Sequence, residues 1–280
     1  MMMARLDAPI VLAHGLFGFS RLGLGRITLT SYFRRIPEAL RDSGNRVLVT
    51  KVPPIAGIEE RAARLAEQID CAYPDERVHI IGHSSGGLDA RHLLADPAWR
   101  QRVLSLVTIG TPHLGSGIAD FAKIRVGRIY RLLSALGVDP AGCLDVTRRA
   151  ARRSHRLLGT PKGVACWSVA GAPSPEAVSW PLRRLHAALE EMEGPNDGLV
   201  SVDSANAFGT PLSAWPVDHL QQMNWLVPGA SANDSPILEL YAEIVKQLIA
   251  SGFGGRLDVS VPVPASISSH TTSLAPARRS

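Results

Sequence analysis

The sequence is poor in cysteine, in aromatic residues and in long apolar runs. Its 280 residues include three cysteines, Cys71, Cys143 and Cys166, which cannot all pair and lack the spacing of a metal site. Buried or half-buried free thiols are expected, and a Cys143–Cys166 disulfide is the alternative. No apolar run reaches the ~18 residues that a membrane-spanning helix needs, so no transmembrane segment is predicted.

The amino terminus shows no secretory signal. Residues 1–8 lead straight into an apolar run at 9–13, without a separate basic segment, apolar segment and small-residue cleavage site. The sequence therefore predicts a cytoplasmic protein, or a secreted one if the start of the chain is wrongly assigned.

Acidic residues are scarce in one segment. The chain has a net charge of +5, but residues 121–160 hold nine basic and two acidic side chains, which gives that segment +7 and the remainder −2. A nucleic-acid footprint should come with an aromatic platform or a binding motif. Neither accompanies it, so no nucleic-acid partner is predicted. Attraction to an anionic lipid interface and a solvated helix face both remain open.

The most informative stretch that is present joins a strand to a helix. The apolar residues 78–81 run into Gly82-His83-Ser84-Ser85-Gly86, and an apolar helical pattern follows at once. A G-x-S-x-G motif in this context predicts a nucleophile elbow with Ser84 at its tip. The sharp turn needs small residues two positions before and after the serine.

A second loop follows the first buried strand. Residues 9–13 are continuously apolar and are followed by His14-Gly15-Leu16-Phe17-Gly18. In a hydrolase of this architecture the backbone N–H groups of Leu16 and Ser85 would form the oxyanion hole. We interpret His14 as a residue that orients this loop and not as a catalytic one.

Apolar strands alternate with amphipathic helices along most of the chain. Strands are predicted near 46–52, 103–109 and 164–170, and residues 58–72 have a clear helical period, whereas 19–30 read as a loop. A further helix face, ending near Gly44, is predicted from the spacing of Tyr32, Phe33, Ile36, Ala39 and Leu40. This order predicts an α/β-hydrolase fold with a doubly wound, mostly parallel sheet. One domain is expected over residues 1–256, and a disordered tail over 257–280.

The alternation stops at about residues 118–161. Two helical patterns, about 119–136 and 144–158, are separated by Gly137-Val138-Asp139-Pro140. An insertion between core strands on the catalytic edge has the position of a mobile lid. The alternative is that its apolar stripe packs on the core, as such stripes do.

The remaining members of a catalytic triad should follow the serine in the order acid, then histidine. His219 lies on a late loop before the final helix, and Asp197 lies in a Gly/Pro/Asn turn upstream of it. Asp203 is the rival acid. Asp218 adjoins His219, but adjacent side chains of an extended segment face apart. The sequence therefore predicts a triad of Ser84, Asp197 and His219.

Five blocks, in order, resemble the bacterial triacylglycerol lipases of the pseudomonad type. They are IVLAHGLFGF, GHSSGGLDAR, TIGTPHLGS, NDGLVSVDSA and DHLQQMN. The resemblance implies Ser84 as nucleophile, Asp197 as acid and His219 as base. It also implies Leu16 and Ser85 as the oxyanion positions and the insertion as a lid.

The resemblance also implies a calcium ion that supports the histidine loop, partly through an Asp two residues after the histidine. This chain has Gln221 there and Trp225 where a polar ligand would stand. Because calcium prefers carboxylate oxygens, we expect no calcium and no other cofactor.

The predicted function is that of a serine carboxylic-ester hydrolase, a lipase or esterase of lipid degradation that forms an acyl-enzyme on Ser84. Its partner would be a small acyl ester or a lipid, with a lipid interface as a further possibility. An acyltransferase or thioesterase with the same triad is one alternative. A hydrolase-fold binding protein that has lost catalysis is the other.

Overall fold

The computed structural model describes residues 3–16, 22–24, 27–30, 32–122, 141–225 and 235–254. The strands are β1 (Ile10–Ala13), β2 (Leu22–Leu24), β3 (Ile27–Thr30), β4 (Val47–Val49), β5 (Val78–His83), β6 (Val103–Ile109), β7 (Ala165–Val169) and β8 (Thr210–Pro211). Six of them form one sheet in the order β4-β1-β5-β6-β7-β8, with parallel pairing throughout.

The helices lie between these strands and after the last. They are α1 (Ile36–Asp42), α2 (Ile58–Ala72), α3 (Ser85–Leu93), α4 (Pro97–Arg102), α5 (Ala141–Asp145), α6 (Arg148–Leu158), α7 (Arg183–Glu193), α8 (Val202–Ala205) and α9 (Ser235–Leu248). Residues 117–122 are also helical. Short 3₁₀ turns occupy Pro175–Ala177 and Gln221–Met223, and a π-helical turn, Ile249–Phe253, follows α9.

Helices cover both faces of the sheet, and successive strand residues point to opposite sides, so each strand contributes to two cores. In β1, Ile10 and Leu12 join a core with α1 and α9, whereas Val11 and Ala13 join a second core with α2 and α3. Full burial of each of the larger side chains, Ile10, Val11 and Leu12, contributes roughly 1.5–3 kcal/mol. The predicted α/β-hydrolase architecture with a doubly wound parallel sheet is confirmed.

Two local predictions change. Residues 19–30 were expected to form a loop, but β2 and β3 pair there as an antiparallel hairpin. The glycines suggested a loop, while the β-branched and leucine residues on either side of them favour strands. The helix expected to include Tyr32 and Phe33 begins only at Ile36, with Pro37 in its first turn, where its missing N–H costs nothing.

The described parts of the insertion are mainly helical. Residues 117–122 and the helices α5 and α6 belong to it, whereas its centre, 123–140, lies outside the described residues together with the tail predicted at 257–280. The outer face of α6 carries four exposed arginines, Arg149, Arg152, Arg153 and Arg156.

The cysteines are free, as expected, but the expectation that all of them are at least half-buried is wrong for Cys71. Cys71 is exposed, Cys143 is half-buried and Cys166 is buried, and all three are free thiols. Within the described ranges, each helix is too short or too polar to cross a membrane.

Candidate active site

Ser84 sits on the turn between β5 and α3, at the carboxyl edge of the sheet. Its backbone angles are φ 55° and ψ −132°, a strained conformation for a residue with a side chain. The turn closes tightly because a Cβ at Gly82 would lie 2.7 Å from Gly87 Cα, and one at Gly86 would collide with the carbonyl oxygen of Ala13. The expected need for small residues on both sides of Ser84 is confirmed.

The loop after β1 passes directly beside Ser84. A Cβ at Gly15 would lie 2.7 Å from Ser84 Cβ, so only glycine fits there. His14 holds the loop, since its Nδ1–H donates to the Gly15 carbonyl at 2.9 Å and its Nε2 accepts from the Val52 N–H at 3.3 Å. Burial lowers the pKa of His14 to about 4, so the ring is neutral near pH 7. The interpretation of His14 as a loop-orienting residue is confirmed.

A buried arginine supports both predicted oxyanion segments from below. Arg61 on α2 pairs with Asp89 on α3 at 2.7 Å, and both side chains are almost completely buried. The Arg61 Nη2 group that contacts Asp89 also donates to the His14 carbonyl at 2.8 Å and to Ser85 Oγ at 3.3 Å. The two chain segments that carry Leu16 and Ser85 are thereby tied to one guanidinium group. Sequence reasoning missed this role because Arg61 lies within a helix that reads as scaffold.

The predicted acid and base are in contact. Asp197 Oδ2 lies 2.7 Å from His219 Nδ1, and the His219 N–H donates to the Asp197 carbonyl at 2.9 Å. The second carboxylate oxygen, Oδ1, accepts from the N–H groups of Leu199 and Val200 at 3.0 and 2.8 Å. This arrangement places the imidazole hydrogen on Nδ1 and leaves Nε2 as an acceptor.

Ser84 and His219 line the same cavity. In the described part of the chain no hydrogen bond joins the serine hydroxyl to the imidazole, a contact that commonly forms only when substrate binds. The rival acid Asp203 is exposed and lies outside this cavity. The carboxylate of Asp218 is turned away and accepts N–H groups of its own and a neighbouring loop.

The cavity is apolar and has a volume of about 300 Å³. Helical residues of the insertion form part of its wall, so the insertion borders the site whether or not it moves. Apart from Ser84 and His219, the lining residues are Leu16, Tyr32, Pro112, Ser116, Ile118, Ala119, Ala122, Val146, Leu199, Val200, Leu220, Met223 and Trp225. Such a lining suits an acyl chain better than a charged substrate.

Two further residues belong to the site, although the sequence analysis gave neither of them a role there. The Gln222 Nε2 group donates to Asp197 Oδ2 at 2.9 Å, and the Tyr32 hydroxyl accepts from the Gly15 N–H at 3.0 Å. Gln222 stands three residues after His219 within the block DHLQQMN, but the resemblance assigned it no role, and Tyr32 was assigned only to a helix face.

The histidine loop does not offer calcium a set of free oxygens. The Gln221 side-chain oxygen accepts the Asp218 N–H at 2.9 Å, and its Nε2 donates to the Ala177 carbonyl at 3.3 Å. The Asp218 carboxylate accepts three backbone N–H groups, from Ser179, Leu220 and Gln221. The described residues contain no cluster of three or more histidine, cysteine or acidic side chains that could hold a metal. Because each candidate oxygen already accepts a hydrogen bond, the donor set does not fit the ion.

Comparisons with known proteins agree with this fold. The family model of the alpha/beta hydrolase fold matches residues 8–134. The chain is 28% identical over 291 residues to a triacylglycerol lipase of Pseudomonas fragi, covering 87% of this chain and 97% of that protein. It is 30% identical over 207 residues to triacylglycerol lipase 2 of Saccharomyces cerevisiae, covering 69% of this chain and 62% of that protein.

Solved structures show the same fold at lower identity. A metagenomic carboxyl esterase superposes with a TM-score of 0.71 at 22% identity, covering 90% of this chain and 78% of its own. The Staphylococcus hyicus lipase superposes with a TM-score of 0.69 at 17% identity, covering 87% of this chain and 95% of its own. Lipases and esterases thus share the architecture that brings the three predicted triad residues to one edge of the sheet.

Proposed function

We propose that this chain, a carboxylic ester hydrolase with the α/β-hydrolase fold that is similar to bacterial triacylglycerol lipases, cleaves acyl esters through Ser84, His219 and Asp197. One observation carries the proposal: His219 is held by Asp197 at 2.7 Å and opens, with Ser84, into one apolar cavity. In such a triad the histidine takes the proton of the serine hydroxyl, and the carboxylate orients the histidine.

In the first half of the reaction, the Ser84 oxygen attacks the ester carbonyl carbon. His219 Nε2 takes the hydroxyl proton, and the imidazolium that forms faces the Asp197 carboxylate. The negative charge on the carbonyl oxygen is stabilised by the N–H groups of Leu16 and Ser85. Ser85 is suited to this because first-turn N–H groups of a helix lack an acceptor within the helix. The C–O bond to the alcohol then breaks, and His219 returns the proton to the leaving oxygen.

In the second half, a water molecule attacks the acyl group on Ser84. His219 removes one proton from the water, and the same two N–H groups stabilise the second tetrahedral intermediate. Collapse releases the carboxylic acid and gives the proton back to the Ser84 oxygen, which restores the enzyme.

The substrate class is a lipid or other apolar acyl ester. The cavity walls are aliphatic and aromatic, and large apolar side chains are also exposed outside it, among them Phe121, Leu157, Trp180 and Met192. We therefore expect long-chain esters to be better substrates than short soluble esters. A lipid interface as a partner stays a prediction.

The reaction proceeds without calcium. Two sets of hydrogen bonds hold the histidine loop. The Asp218 carboxylate accepts three N–H groups, and the Gln221 amide bonds to Asp218 and Ala177. They join it to the 175–179 segment. This is the supporting task that the related lipases are expected to assign to the ion.

The experiment is a chain-length series of p-nitrophenyl esters and an emulsified triacylglycerol, run with wild type and Ser84→Ala. Wild type should hydrolyse the esters and react with a fluorophosphonate probe, and Ser84→Ala should lose both properties while its melting temperature is kept. Turnover near the wild-type rate in Ser84→Ala would refute the nucleophile.

The same assay separates the alternative functions. An acyltransferase or thioesterase would show a faster rate when an alcohol acceptor or an acyl thioester is supplied. A wild-type protein that neither hydrolyses esters nor takes up the probe would be a binding protein instead.

A further inference from the structure

A continuous chain of hydrogen bonds runs beneath the proposed triad, through three side chains that the mechanism does not use. Gln222 Nε2 lies 2.9 Å from Asp197 Oδ2, and Gln222 Oε1 lies 2.9 Å from His83 Nε2. His83 Nδ1 lies 2.8 Å from the Tyr32 hydroxyl, which lies 3.0 Å from the Gly15 nitrogen. The chain therefore connects the acid to the loop that carries Leu16.

Donors and acceptors along the chain fit in only one direction. The Asp197 carboxylate accepts, so the Gln222 amide presents its NH₂ to the acid and its oxygen to His83. His83 then carries its hydrogen on Nε2 and accepts on Nδ1 from the Tyr32 O–H. The Tyr32 oxygen in turn accepts the Gly15 N–H. Each group depends on the orientation of its neighbour, and Gln222 is the member that touches the triad.

The fold makes room for this one amide. Gly110 follows β6 with φ 53°, and a Cβ there would collide with Gln222 Oε1 and lie 2.9 Å from Asp197 Oδ2. Gly171 lies just beyond β7, and a Cβ there would collide with Gln222 Nε2 and lie 2.7 Å from Asp197 Cβ. The ends of two neighbouring strands therefore form a slot for the amide, and Gln222 is completely buried within it.

The neutral state of His83 matters to the base. The rings of His83 and His219 lie 4.7 Å apart, so a charge on His83 would oppose the imidazolium that forms during catalysis. Burial, with His219 as the next cause, holds the pKa of His83 well below its usual range. The chain gives the neutral ring a donor on one side and an acceptor on the other.

We propose that Gln222 is a positioning residue that couples the orientation of Asp197 and His219 to that of the oxyanion loop, through His83 and Tyr32. This inference rests on the proposed triad and extends it. It assigns Tyr32 a second task, since its oxygen occupies the Gly15 N–H and leaves the next amide, that of Leu16, for the substrate.

Gln222→Ala tests the role of the amide. It should lower kcat about 10- to 100-fold, the size expected for a lost hydrogen bond to a charged group, with little change in KM. Gln68→Ala is the matched control, because the Gln68 amide also bonds through both its oxygen and its nitrogen, in three hydrogen bonds to Lys51 and Arg64, and does not line the cavity. It should keep the wild-type kcat. A kcat for folded Gln222→Ala within twofold of wild type would overturn the proposal.

Gln222→Glu distinguishes positioning from mere filling of the slot. A protonated carboxyl group can donate to Asp197 as the amide does, whereas the ionised form repels it, and burial beside a second carboxyl group raises its pKa. The ratio of variant to wild-type kcat/KM should therefore be highest at low pH and fall as the pH rises. A ratio that is independent of pH would mean a purely steric role.

A double-mutant cycle with Tyr32→Phe tests the coupling itself. If the chain acts as a unit, the double variant Gln222→Ala/Tyr32→Phe should lose less kcat than the product of the two single losses. Losses that multiply would show that the two ends act independently and would overturn the coupling. Labelling of wild type with the fluorophosphonate probe tests the proposed triad separately. If wild type labels but the losses multiply, the coupling fails while the proposed function stands.

Discussion

The Asp197 carboxylate and the His219 imidazole meet through Oδ2 and Nδ1 at 2.7 Å. The acid is completely buried and cannot rotate away, because Oδ1 is held by two backbone N–H groups. In the proposed mechanism its task is to keep the hydrogen of His219 on Nδ1 and to face the imidazolium. Both tasks depend on an acceptor at this one oxygen.

Asp197→Asn should therefore abolish most of the activity without unfolding the protein. An amide presents an NH₂ group where His219 needs an acceptor, so the wrong tautomer of the base is stabilised, and kcat should fall by about 10⁴-fold. Steady-state kinetics with a p-nitrophenyl ester measures this loss. Asp203→Asn is the control, since the exposed Asp203 lies outside the cavity. An equal loss in both variants would contradict the assignment of the acid.

Local sequence patterns predicted helices and strands of the fold, but not the long-range contacts around Ser84. The helix expected at residues 58–72 and the strand expected at 103–109 have those same bounds, because their periods are regular. Tyr32 and His83 are 51 residues apart, and His83 and Gln222 are 139 apart, so no local pattern reports their contact. The predicted cytoplasmic location stays a prediction.

Acidification should destabilise the fold through buried histidines. Burial lowers the pKa of His14 and of His79 to about 4. The unfolded chain binds these protons near pH 6.5, and the folded chain binds them only near pH 4. The free energy of unfolding therefore decreases as the pH falls through this window, by up to about 3 kcal/mol for each ring.

His79→Asn tests this linkage. The substitution keeps a hydrogen-bonding group near Ser105, which lies 2.7 Å from His79 Nδ1, and removes the titration. Urea unfolding between pH 4 and pH 7 should show a shallower dependence on pH in the variant than in wild type. Parallel curves would show that His79 does not contribute.

Calcium removal should leave the enzyme unchanged, because the histidine loop is held by hydrogen bonds from Asp218 and Gln221. Activity and melting temperature should be the same with EDTA and with added calcium. Gln221→Ala removes one link and should lower the stability of the loop by about 1 kcal/mol, with a reduced kcat. Inactivation of wild type by EDTA that calcium reverses would contradict this view.

The length of acyl chain accepted should depend on the wall that the insertion contributes to the cavity. Val146 lines the cavity just before α6 begins at Arg148. Val146→Trp would place an indole in a space of about 300 Å³, and long chains would lose their contacts, each methylene being worth about 1–3 kcal/mol. The value of kcat/KM for p-nitrophenyl octanoate should fall at least about tenfold, while that for the acetate stays within about threefold. The acetate also serves as the control for an intact triad. An equal loss on both esters would mean that the acyl chain does not lie against Val146.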